Sequence, residues 1–210
     1  MKALKRLAEQ FNKLPGIGAK TAMRLAHHVL FSMAEQEVGE FSTILRASKS
    51  ELQLCRICFS ISDDTECAIC KNPNRDSRTL FVVADVRDLL AIEETGIYKG
   101  RYHVLGGLLS PLQRVGPEKL RIKELLKRLE SGGVEEIILG TVPTAEGEVT
   151  AHYVMDRLRD CSIKVTRIGA GIPVGGSLEY MDAMTVTKAV MNRQEMEPLP
   201  PLRGKVGMGG

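Results

Sequence analysis

The chain has no tryptophan, and its few phenylalanines and tyrosines bring aromatic residues to only 4% of 210. So thin a supply leaves no platform on which unstacked RNA bases would be read, which makes an RNA-binding factor a weak reading. No apolar run approaches the ~20 residues of a membrane span, and the first residues show no secretory h-region, so a cytoplasmic protein is expected. A large excess of one charge is missing too: the balance is +3. Two nucleotide signatures fail on spacing. Ala19 stands where a Walker A loop needs glycine before its lysine, and Val174 stands where a dinucleotide fingerprint beginning at Gly169 needs its third glycine. Only five cysteines occur. Without a secretory signal they belong in a reducing compartment, where disulfides are rare.

What is present begins with Leu14-Pro15-Gly16-Ile17-Gly18-Ala19-Lys20-Thr21. Leu4, Leu7, Ala8 and Phe11 recur at helical spacing before it, as do Ala22, Leu25, Ala26 and Val29 after it. Two amphipathic helices are thus joined by a tight turn whose glycines, Gly16 and Gly18, can both take positive φ. Such a turn leaves the first N–H groups of the second helix pointing outward, an arrangement suited to phosphate. Lys20 and Arg24 stand one turn apart on the polar face, and His27 and His28 continue it. Charge is distributed to match, with +5 on residues 1–33 and −2 on the remainder. The stretch resembles a helix-hairpin-helix, the module that grips nucleic-acid backbone without regard to sequence. On these residues alone, an ordinary αα-hairpin with a solvated basic face stays open as the alternative.

Residues 36–54 read as a third helix through Val38, Phe41, Ile44 and Leu45. Three such helices bury little by themselves and call for a partner chain or for the next segment. That segment holds Cys55-x-x-Cys58 and, eight residues on, Cys67-x-x-Cys70. Two matched knuckles supply four thiolates for a closed structural zinc site, and so small a knot has to take most of its folding energy from the metal. Arg56, Lys71, Arg75 and Arg78 either offset the negative charge of a zinc tetrathiolate or extend the phosphate-facing surface. Cys161, which opens an apolar strand, reads as a small buried residue and not as a nucleophile.

From residue 79 the pattern becomes strand and helix in alternation. Strands are expected at Thr79–Ala84, Tyr102–Leu105, Glu136–Gly140 and Ser162–Ile168. Helices follow through Leu89, through Leu125, and through Ala151 to Leu158, and Gly106–Pro117 reads as a long surface loop. Such alternation builds a mainly parallel sheet with sites at the carboxyl ends of its strands. Asp85 and Asp88 follow the first strand there, and Glu146 and Glu148 follow the strand at Glu136. This placing of acids resembles a Toprim domain; acids on a solvated loop are the equal alternative. Mg²⁺ at these acids is compatible with the residue types. No catalytic role is expected of it, because Ala84 occupies the position of the catalytic glutamate and binding is therefore favoured over strand cleavage.

The order of these parts, closed by Ile172-Pro-Val-Gly-Gly-Ser-Leu-Glu-Tyr180, resembles the RecR family of bacterial recombination mediators over residues 3–197. Arg101-Tyr-His-Val-Leu105, Leu109-Ser-Pro-Leu112 and Gly116-Pro117 resemble it as well. The resemblance implies a multi-domain α/β protein without catalysis of its own, associated with the nucleoid. It implies action with RecO, and in some settings RecF, to load RecA onto single strands coated by single-strand-binding protein. It also implies a ring of four chains, paired through N-terminal helices and exchanged C-terminal segments, that binds single- and double-stranded DNA. Gly16, Gly18, Lys20 and Arg24 would then contact DNA, and Cys55, Cys58, Cys67 and Cys70 would hold one zinc ion. Asp88, Glu146 and Glu148 would face a partner, while Glu179, Tyr180 and Asp182 would form a Walker-B-like segment. The expected division is a helix-hairpin-helix domain over 1–54, a zinc finger over 55–78 and a Toprim domain over 79–170. The Walker-B-like segment takes 171–197 and a flexible tail 198–210. Two departures stand out: Gly106-Gly107 replaces a more usual His-Gly, and Ala183-Met-Thr-Val186 lacks one acid. The alternative function is a Mg²⁺-dependent Toprim enzyme of nuclease or primase type.

Overall fold

The computed structural model describes residues 1–159, 161–169, 171–173 and 175–192. The expected tail, and the end of the segment before it, lie outside the described residues. The chain divides into two units, Met1–Asn72 and Pro73 onward.

In the first unit, α1 (Lys2–Phe11) and α2 (Ala19–Phe31) pack against each other. Ala8, Ala22 and Ala26 are the buried residues of these helices, small enough to let the backbones approach closely. Between them the N–H of Ile17 donates to the Leu14 carbonyl at 3.1 Å. Pro15 and Gly16 are the two central residues of that turn, and Gly16 has φ +81°, as a turn with proline first and glycine second requires. Gly18 departs from expectation: at φ −80°, ψ 166° it is extended and serves as the N-cap of α2. Only one of the two glycines needs the left-handed region. The third helix, α3 (Glu35–Glu51), buries none of its residues and leaves Phe41, Ile44 and Leu45 exposed. A two-stranded antiparallel ribbon, β1 (Gln53–Leu54) with β2 (Ile61–Ser62), and the single turn α4 (Ala68–Lys71) then frame the cysteines.

The second unit is built on a four-stranded, wholly parallel sheet. Its strands are β3 (Asp76–Val83), β4 (Gly100–Val104), β5 (Glu136–Leu139) and β6 (Lys164–Arg167), in the order β4-β3-β5-β6. Helix α5 (Val86–Glu94) links β3 to β4, α6 (Ile122–Glu130) precedes β5, and α7 (Ala145–Arg157) links β5 to β6. Buried on both faces, the central strands read as continuous apolar runs. Leu80, Val82, Ile137 and Leu139 pack on Leu125 and Leu129 of α6 and on Ala151 and Val154 of α7. Phe81 points the other way, meeting Tyr98 edge to face and stacking on Tyr102. The chain leaves β3 toward β4 and later returns beside β3 as β5. Strand order therefore reverses between β3 and β5, where sites in open sheets gather.

Three expectations are corrected here. The stretch Gly106–Pro117 is not a surface loop throughout: Leu109 enters the core, Ser110 is buried, and Ser110 bridges to Val115. The hydroxyl of Thr150 on α7 holds it down, accepting from the N–H of Leu109 at 2.9 Å. Cys161 is exposed and precedes β6 instead of opening it. The helix that follows β5 begins at Ala145, capped by the Thr144 hydroxyl, six residues before its first periodic apolar position. Beyond the sheet, Leu178–Tyr180 form a 3₁₀ turn and α8 (Ala183–Met191) closes the described chain.

Candidate functional site

The hairpin leaves the start of α2 open. No side chain caps it and no acid occupies its first turn, so its field and free N–H groups are available to an anion. Lys20, Arg24, His27 and His28 then line one groove of about 480 Å³ along α2. They occupy positions i, i+4, i+7 and i+8, a single helical face. The His27 ring lies 4.5 Å from that of Phe31. Of the four residues expected in DNA contact, Lys20 and Arg24 share this groove with two histidines, while Gly16 and Gly18 lie in the turn and cap before α2.

All four expected zinc ligands come together. Cys55, Cys58, Cys67 and Cys70 are buried and offer sulfur atoms within 4.8 Å of one another. Cys58 and Cys67 stand 3.5 Å apart. Ligands about 2.3 Å from a tetrahedral zinc are themselves about 3.8 Å apart, so the cage has the right size and donor set. The hydrogen bond with Cys58 lowers the Cys67 thiol, and the same pairing raises that of Cys58. Four thiolates side by side need a positive centre, and a bound metal ion would supply it while cross-linking two chain segments. The nearby cations each take an acidic partner, and Lys71 also feels the charge of Cys67. Arg56 pairs with Glu66, Lys71 with Asp64, Arg78 with Asp76, and Arg75 with Glu93 in the second unit.

At the carboxyl ends of β3 and β5, Asp85, Asp88 and Glu146 line a cleft of about 390 Å³. Two of these acids also build the start of α5. The Asp85 carboxylate accepts from the N–H of Arg87, and Asp88 accepts from the N–H of Asp85. The Arg87 guanidinium lies on Asp85 at 2.9 Å and holds its carboxyl below the usual range. Glu148 is not with them. It turns to Arg167 of β6 and Lys188 of α8, whose hydrogen bonds, Arg167 first, hold its carboxyl down to about 2. Two residues of helix rotate a side chain by about 200°, so an acid-x-acid pair on α7 cannot face one site. Thr144 is a good helix-capping residue and the one local signal for this start, but it stands seven residues before Ala151, where the apolar period begins. Arg87 meets Asp85 within the local cap of α5, whereas Arg167 and Lys188 have no local signature and only the fold brings them to Glu148.

In the C-terminal segment, Asp182 caps α8: its carboxylate accepts from the N–H and the hydroxyl of Thr185 at 2.9 and 2.6 Å. Glu179 and Tyr180 are exposed on the preceding turn. The segment brings no phosphate loop beside it among the described residues.

Comparison with known proteins assigns three parts of the chain. Residues 4–48 match the RecR helix-hairpin-helix family, 78–169 the Toprim domain, and 171–194 the RecR C-terminal family. The chain is 48% identical over 194 residues to the recombination protein RecR of Rippkaea orientalis, covering 92% of this chain and 98% of that one. It is 49% identical over 193 residues to the recombination protein RecR of Myxococcus xanthus, again covering 92% and 98%. Among the described residues no helix is long and apolar enough to cross a membrane. With the hairpin, the cysteine cage and the parallel Toprim sheet in the same order, the chain belongs to the RecR family of recombination proteins.

Proposed function

We propose that this protein is a non-catalytic mediator of recombinational repair that grips DNA backbone and recruits helpers. Gly16, Gly18, Lys20 and Arg24 contact phosphates, Cys55, Cys58, Cys67 and Cys70 hold a structural zinc ion, and Asp88 and Glu146 receive a basic surface of RecO or RecF. With them the protein loads RecA onto single strands coated by single-strand-binding protein. The domains divide near residues 54, 78 and 170. The observation that carries the reading is the groove in which Lys20 and Arg24 stand beside the uncapped start of α2.

Magnitudes favour several copies acting together. One hairpin neutralising ~2–4 phosphates gives an affinity of about 10⁻⁴ M or poorer at physiological salt. Repetition on one scaffold adds roughly 10²–10⁴ in avidity. The exposed Phe41, Ile44 and Leu45 of α3 supply apolar surface for pairing between copies, in keeping with a ring of four. Occupation of Asp85 by Arg87, together with Ala84 at the end of β3, supports binding over Mg²⁺-dependent cleavage.

The test is DNA binding across a salt series. Lys20→Ala with Arg24→Ala should weaken binding equally on unrelated sequences and reduce the salt slope by about two. Unchanged binding, or a marked sequence preference, would remove the hairpin from the interface.

A further inference from the structure

Glu148 sits in a cleft of its own. The cavity of about 490 Å³ is lined by Thr141, Arg167, Lys188 and Asn192 among others. One carboxylate oxygen accepts from the Arg167 guanidinium and the other from Lys188 Nζ at 2.8 Å. The three side chains are 34%, 32% and 26% exposed, so solvent screens the cluster only in part. Arg167 is held in turn, donating to the Thr141 carbonyl at 3.4 Å. The cluster therefore spans α7, β6 and α8. Apolar packing gives α8 little hold, since it has no buried residue and leaves Met184, Val190 and Met191 exposed.

We infer that Glu148 is a positioning residue that pins α8 to the carboxyl edge of the sheet through Lys188, with Arg167 orienting its carboxylate, and that Glu146 and Asp88 alone of the three acids face a partner. The second half rests on the partner-binding reading above; the first does not. A carboxylate taking two charged donors is stronger than a simple surface pair. A helix with no buried side chain is docked marginally all the same, so the charge at position 148 sets how often it lifts away.

Hydrogen exchange of the full-length protein near neutral pH, followed on peptides covering 183–191, tests the anchor. In Glu148→Gln and in Lys188→Gln these amides should exchange roughly 3–10-fold faster than in the unaltered protein. The double variant should exchange no faster than either single one, because both remove the same contact. Glu146→Gln should exchange at the unaltered rate. Salt at about 1 M should accelerate the unaltered protein and leave Glu148→Gln unmoved. Unaltered protection in both single variants, or effects that multiply in the double one, would overturn the anchor. Affinity for purified RecO tests the division of labour: Glu146→Gln should lose it and Glu148→Gln should keep it. Equal losses would overturn the division, whereas retention by both Glu146→Gln and Asp88→Asn would overturn the partner reading and leave the exchange result standing.

Discussion

The carbonyl oxygen of Val142 stands where a Cβ on Gly147 would have to be. The same glycine donates its N–H to the Thr144 hydroxyl at 3.2 Å, and its carbonyl accepts from the Thr141 hydroxyl at 3.1 Å. The first turn of α7 is thereby drawn onto the end of β5, which directs Glu146 to one cleft and Glu148 to the other. Backbone cannot yield as a flexible side chain would. Gly147→Ala should cost about 2–4 kcal/mol in urea unfolding and lower the protection of α7 amides.

The hairpin glycines should separate by mechanism. Gly16 has φ +81° with open space around it, so Gly16→Ala should lose about 1 kcal/mol through backbone strain alone. Gly18 is extended and equally open. Gly18→Ala should therefore lose only about 0.5 kcal/mol as a poorer N-cap, without strain, yet bind DNA more weakly, its methyl group standing between backbone and phosphate. Calorimetry paired with a binding titration reads both effects.

Removal of metal should unfold the region of the cysteines selectively. The buried thiols pack with little beyond Ile57 and Ile69, too small a core to persist alone. Cys58→Ser or a strong chelator should abolish bound zinc, measured by elemental analysis. Exchange should rise across residues 53–71, while the sheet strands keep their protection.

His103 is buried on β4 with Nε2 donating to the Arg121 carbonyl at 2.8 Å, and burial holds its pKa down to about 4. Between pH 4 and its ordinary value of 6.5 the unfolded chain binds a proton that the folded chain refuses. Its contribution is complete above about pH 6.5 and is lost as pH falls toward 4, by up to about 3 kcal/mol. Urea melts at pH 4.5 and 7.5 should show this difference, and His103→Gln should flatten it.

Residue order alone determined much of this protein. The periodicity of Leu4 to Phe11 and of Ala22 to Val29, the Pro15-Gly16 pair, and two Cys-x-x-Cys knuckles each depend on neighbours within a few positions, and each was legible. So was the parallel sheet, because strands buried on both faces spell themselves as apolar runs such as Leu80–Val83. Strand ends were set by hydrogen bonds to distant residues, and composition does not announce those. Tertiary structure decided which acid meets which distant base: Arg75 to Glu93, Arg167 and Lys188 to Glu148. A charge binds whatever opposite charge the fold carries within a few ångströms, and chain separation says nothing about that distance. It likewise drew Leu109 into the core and left Cys161 outside, since burial belongs to the packed arrangement and not to the residue type.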